Sequence, residues 1–209
     1  MQSLATSGQT LTARLLRGAG VSALGFGGAQ ILRFGSNLVL ARLLFPEAFG
    51  LMALVTVLLV GVVMMSDAGI GQSVRQSPRG DDPVFLDTAF TMQVLRGMVL
   101  WAVIALLALP AAHFYRAPEL ALMLPVAGST LLLASLEPMR AELAYRHLAI
   151  ARVTVIDLVA QAAGVVTMIA LAWATGSVWS LVAGMIAASA SRTALLWLLL
   201  PGRDRKSVV

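Results

Sequence analysis

Gln30, Arg33 and Asn37 stand three and four residues apart, which puts them on one face of a helix. Gln93 and Arg96 repeat that spacing, and Thr154, Asp157 and Gln161 repeat it again. Arg192 adds a further cation near the C-terminal end. Such side chains offer permanent charge, amide donors and acceptors, and one carboxylate. Their setting is unusual, because each lies inside an apolar run. A charge at the centre of a membrane helix costs ~2.5–3.5 kcal/mol on the insertion scale. Three polar stripes at that cost predict a shared, water-accessible interior. For Arg96 and Arg192, eight or nine residues from the helix end, the other reading is a guanidinium reaching back to the surface. Asp157, five residues past Arg152, reads either as a cavity group or as an interfacial one.

Bond-breaking chemistry finds little footing. The chain has no cysteine, so neither a thiolate nucleophile nor a thiolate metal site is available. His113 and His147 fall on opposite sides of the predicted topology, and neither has a carboxylate or serine at a catalytic spacing. Asp81-Asp82 reads as a helix N-cap. GAGVSALGFGG (Gly18 to Gly28) follows no strand and precedes no lysine, which excludes a nucleotide loop. We expect no enzyme, no metal and no cofactor.

Composition names the solvent that these residues must be positioned in. Of 209 residues, 59% are hydrophobic and only 12% charged, with a mean hydropathy of +0.88. Soluble domains carry roughly 25% charged residues, so half the usual solvating surface is missing and lipid must replace water. The net charge of +5 then speaks of loop placement rather than of a nucleic-acid partner.

A bilayer core of ~30 Å takes about 20 helical residues. Apolar runs predict spans at Gly18–Leu44, Ala48–Ser66, about Asp87–Pro110 and Leu120–Leu136, the last with a kink at Pro125. Leu158 to Ser191 is uncharged for 34 residues, too long for one crossing. Thr175-Gly176-Ser177 breaks it into spans at about Arg152–Ala174 and Val178–Leu200. The prediction is an all-α integral membrane protein, a bundle of six transmembrane helices over 18–200. A cytoplasmic N-terminal segment (1–17) precedes it and a basic tail (201–209) follows. Arg42, Pro46 and Glu47 fit a tight turn between the first two spans. Glu137 to Arg152 reads as a helix on the cytoplasmic face. Ala19, Ala23 and Gly27, like Ser180, Gly184 and Ala188, are spaced by four and predict close helix packing.

Orientation follows from the basic residues. With the N-terminus inside, cytoplasmic segments hold Arg14, Arg17, Arg75, Arg79, Arg140, Arg146, Arg152, Arg203, Arg205 and Lys206, against Arg42 and Arg116 outside. Both termini are therefore predicted to be cytoplasmic.

Five segments also carry a resemblance. LARLLFPEAFG (Leu40 to Gly50) resembles the first hairpin of the polysaccharide-exporter branch, the oligosaccharide flippases, of the multidrug/oligosaccharidyl-lipid/polysaccharide flippase superfamily. SDAGIGQSVRQS (Ser66 to Ser77) is similar to that branch's end of helix two and its basic loop. HFYRAPEL (His113 to Leu120) resembles its third-to-fourth helix turn, and AYRHLAIAR (Ala144 to Arg152) its arginine-containing start of helix five. GSVWSLVAGMIAAS (Gly176 to Ser189) resembles its glycine–tryptophan start of helix six.

The resemblance implies translocation of a lipid-linked oligosaccharide or polysaccharide precursor across the bacterial inner membrane. It implies a two-lobe transporter of which this chain matches the N-terminal lobe, with a truncation point in the tail and the other half of the path supplied by a second lobe or second copy. The implied cargo is an undecaprenyl-diphosphate oligosaccharide. Arg33 would then be the inward cation for the diphosphate, and Arg96 or Arg192 the capture points. Gln30, Asn37 and Gln161 would hydrogen-bond sugar or headgroup, Gln93 is a further cavity candidate, and Asp157 balances charge or couples to a proton or sodium gradient. Three other readings stay open: a drug/ion antiporter of the same superfamily; a membrane-embedded glycolipid enzyme, which would need a catalytic loop or a His–acid pair; and a non-transporting membrane subunit of polysaccharide assembly.

Overall fold

The structure, a computed structural model, describes residues 25–66, 82–139, 141 and 150–199. Six long helices run through these residues, and no strand is found among them: α1 (25–43), α2 (Pro46–Met65), α3 (Pro83–Phe114), α4 (Leu120–Ser135), α5 (Ile150–Thr175) and α6 (Trp179–Leu199). Among the described residues, α2, α3, α5 and α6 are each long and apolar enough to cross a membrane. Large apolar side chains also cover the outside, with Met65, Leu106 and Leu198 each more than three-quarters exposed. A surface like this is stable against acyl chains and not against water. The chain is an all-α membrane protein.

Each turn shows why its helix starts or stops there. Phe45 is extended, Pro46 opens α2 where a missing N–H costs nothing, and Glu47 sits in the first turn. The Asp82 carboxylate accepts from the Val84 N–H at 3.1 Å and caps α3 beside Pro83. At its other end the Ala117 N–H reaches the Ala112 carbonyl and the Arg116 N–H that of His113, with Arg116 at φ 53°. That is a Schellman closure with arginine in the left-handed position usually given to glycine. Gly176, at φ +60°, ends α5 and donates to the Ala172 carbonyl at 2.8 Å.

The α1–α2, α3–α4 and α5–α6 turns gather at one end of the bundle, where Val178 packs against two apolar clusters. One cluster joins Val55 and Leu59 of α2, Ile104 and Ala108 of α3, and Met123 and Ala127 of α4. The other joins Leu40 of α1 and Leu44 just past its end to Ala48, Ala172 and Leu181. Between α5 and α6 the backbones nearly touch. A Cβ on Gly164 would lie 2.8 Å from the Gly184 carbonyl oxygen, and one on Gly184 would lie 2.9 Å from that of Gly164. The small residues Gly184 and Ala188 therefore form the crossing, as their spacing predicts. Gly27 meets nothing within 4 Å.

The spans differ from expectation mainly in α3, which begins at Pro83 and runs on past Pro110 to Phe114. Its 32 residues rise about 48 Å. A proline inside a helix removes one backbone bond. Here Ala111 and Ala112 beyond it are buried in the α2–α3–α4 core, which holds the last turn in place. The segment 1–17, Ala19 and Ala23, Asp81, most of the predicted surface helix after Glu137, and the tail 201–209 lie outside the described residues.

Candidate functional site

Opposite the three turns, the bundle must solve a backbone problem. With 16 residues, α4 is only about 24 Å long, short of the ~30 Å hydrocarbon core. Its last carbonyls are met in part by the turn that follows, with the Leu136 N–H 3.2 and 3.1 Å from those of Leu132 and Leu133 and the Glu137 N–H 3.3 Å from that of Ala134. Neighbouring helices add further donors at this end. Gln93 Nε2 of α3 lies 3.2 Å from both the Ala134 and Ser135 carbonyl oxygens. From α6, Thr193 Oγ1 donates to Leu133 at 3.0 Å and Trp197 Nε1 to Leu136 at 2.9 Å. Ser189 reaches the Thr130 carbonyl at 3.4 Å, so α6 and α4 run parallel in register. Sequence reasoning picked out Gln93 but missed Thr193 and Trp197. The signal was present: Ser189, Thr193 and Trp197 recur every four residues on one face of α6.

Arg96, one turn from Gln93, turns to α2 instead. Its Nε lies 3.3 Å from Ser66 Oγ, and Nη2 stands 3.5 Å from the Val63 carbonyl. A cation there faces the negative end of the α2 dipole. A Cβ on the adjacent Gly97 would overlap the Ser135 side chain, so α3 and α4 are in close contact at this level.

Arg192 ties three elements. Its Nε donates to Asp157 Oδ1 of α5 at 2.8 Å, and its Nη1 pairs with the carboxylate of Glu137, just past α4. The side chains are 30% exposed for Arg192, 42% for Asp157 and 17% for Glu137, so the Glu137 arm is the drier one. Glu137 makes a further interaction as well. One turn along α5 from Asp157, Gln161 Nε2 donates to the Ala29 carbonyl of α1 at 3.0 Å.

The stripe on α1 behaves differently. Gln30, Arg33 and Asn37 are all exposed, and none makes a side-chain hydrogen bond or ion pair with the described residues. On a wheel of about 100° per residue they fall between two other faces. One carries Gly25, Ala29, Ser36 and Leu40 and packs on the bundle; the other carries exposed Ile31, Phe34 and Leu38. The rise from Arg33 to Pro46 at the turn end is about 20 Å, against ~30 Å for a whole hydrocarbon core. The structure thus gathers Asp157 and Arg192, engages Gln93, Arg96 and Gln161 with backbone or hydroxyl groups, and leaves the α1 stripe open. Among the described residues no group of three or more acidic or histidine side chains is placed to hold a metal.

Residues 39–208 match the model of a family described as polysaccharide biosynthesis protein. The chain belongs to this family. No curated protein and no solved structure matches it. The matched segment contains Gln93, Arg96, Asp157, Gln161 and Arg192, whereas Gln30, Arg33 and Asn37 precede it. Family and fold together describe a membrane protein of polysaccharide biosynthesis.

Proposed function

We propose that the chain forms one lobe of a flippase that carries a lipid-linked oligosaccharide across the bacterial inner membrane. In this orientation the three short turns face outward and both termini face the cytoplasm. The observation that carries the reading is the open stripe on α1: a guanidinium at membrane depth, flanked by two amides, with no partner among the described residues. An arginine facing bare lipid is costly, so such a group calls for water or an anion beside it. A diphosphate headgroup meets that demand, because guanidinium offers two parallel donors to phosphate oxygens. Gln30 and Asn37 add donors and acceptors suited to sugar hydroxyls. A second lobe, in a second chain or a second copy, would stand opposite α1 and close the path.

The antiporter reading asks for a free carboxylate at membrane depth to hold a cation. Asp157 instead lies against Arg192, which favours the anionic cargo.

The test is reconstitution of the transporter in liposomes with a fluorescent undecaprenyl-diphosphate oligosaccharide, scoring its arrival in the opposite leaflet. Charge-assisted hydrogen bonds contribute ~1.5–3 kcal/mol, so Arg33→Ala should slow transport about tenfold to a hundredfold. Arg33→Lys should recover part of the loss. Imposing a proton or a sodium gradient in the same vesicles reads which one drives the cycle. An Arg33→Ala protein that transports at the parent rate, at equal incorporation, removes Arg33 from the path.

A further inference from the structure

We infer that Gln161 is the positioning residue that fixes the rotation and depth of Arg33, an inference that rests on the flippase reading above. Gln161 belongs to α5 and does not reach the open stripe. Its amide donates to the Ala29 carbonyl of α1 at 3.0 Å. In the α-helical ladder that carbonyl is also the acceptor for the N–H four residues on, which is Arg33. Gln161 therefore grips the turn of backbone from which Arg33 projects.

The surroundings explain why a directional contact matters there. The N-terminal half of α1 meets α5 through small residues. A Cβ on Gly25 would collide with Thr154 Cγ2, and Gly28 lies beside Leu158. A smooth seam of this kind brings the helices close but offers few side-chain knobs to resist turning or sliding. The large buried anchors, Leu40 of α1 and Leu44 just past it, come only at its far end. Ser36 is buried on the same face, but its hydroxyl donates to the Arg33 carbonyl of its own helix. Arg33 sits between Leu32, which is half-buried, and Phe34, which is 73% exposed. A rotation of α1 by one residue would carry the guanidinium into the packed seam or out among acyl chains. The Gln161–Ala29 bond opposes both movements.

The chain's lack of cysteine makes the test direct. Leu38→Cys on α1 and Val166→Cys on α5 are at exposed positions, and spin labels on them report the α1–α5 distance in liposomes. In this background Gln161→Met keeps length and loses the donor. The distance distribution should shift or broaden by several ångströms, and transport should fall at least fivefold with folded protein maintained. The decisive readout is non-additivity: Gln161→Met should add nothing further in an Arg33→Ala background, since its effect passes through Arg33. An unmoved distance distribution overturns the inference, and so does a loss that simply multiplies with that of Arg33→Ala. If Arg33→Ala alone leaves transport intact, the flippase site falls, and the spin distance still decides whether Gln161 fixes α1.

Discussion

Replacing Arg192 by leucine separates a structural tie from a ligand site. The guanidinium holds two carboxylates on two other elements, at different exposures. Exposed ion pairs contribute ~0.2–1 kcal/mol, and with 42% of the Asp157 side chain accessible that arm belongs near this range. The Glu137 arm, at 17% exposure, lies closer to charge-assisted bonds of ~1.5–3 kcal/mol. Arg192→Leu also removes the cation shared by the two carboxylates. Together these give a loss of about 2–4 kcal/mol. Asp157→Asn should cost about 0.5–1 kcal/mol, because Arg192 keeps Glu137. The double variant should be about 1 kcal/mol more stable than the two single losses summed, since the Asp157 arm is then counted once. Unfolding by titration with sodium dodecyl sulfate in mixed micelles, followed by circular dichroism, measures all three. An Arg192→Leu protein within about 0.5 kcal/mol of the parent refutes the tie. A transport loss in that same stable protein would make the guanidinium a headgroup contact instead.

Gly164→Leu should destabilise the same titration by at least ~1–3 kcal/mol, because even a Cβ there would stand 2.6 Å from Ala188 Cβ; Gly27→Leu, facing open space, should be neutral, and equal losses at both sites would refute the crossing. Arg116→Gly should leave stability unchanged or raise it by up to ~1 kcal/mol, whereas Arg116→Val should lose about 1–2 kcal/mol, since the left-handed backbone at φ 53° excludes a β-branched residue. Cysteines replacing Gln30 and Asn37 should react with a membrane-impermeant thiol reagent at least tenfold faster than cysteines replacing Ile31 and Leu38; equal rates would mean that no aqueous flank runs along α1.

The spans and turns could be read from sequence because each has a local cause. Pro46 with Glu47, the Asp82 cap and Gly176 announce themselves by residue type, and hydropathy supplies the rest. The extra reach of α3 could not be read that way. Whether Pro110 ends a helix depends on what packs over Ala111 and Ala112, which is a tertiary matter. The polar residues divide along the same line. Spacing shows that Gln93 and Arg96, or Asp157 and Gln161, share a face of their own helix, yet says nothing of what lies across from them. What lies across is largely backbone carbonyl, at Ala134, Val63 and Ala29, and a carbonyl has no signature in sequence. Arg192 had its acid on another helix, 35 residues back, beyond the reach of any helical period.

Sorting the polar groups by what they hold turns composition into a direction. A membrane bundle has to satisfy its own backbone before its side chains are free for anything else. Gln93, Thr193 and Trp197 serve the end of α4, Arg96 the end of α2, and Arg192 the junction of α4, α5 and α6. Groups spent in this way cannot bind cargo without exposing carbonyls or carboxylates to hydrocarbon, so they set the rigidity of the lobe. The α1 stripe serves no such need within the described residues, and it lies on the outer flank of the bundle. Any cargo path that uses it must therefore run along the outside of α1, bounded on its other side by something beyond these six helices. That is why the proposed function needs a second lobe.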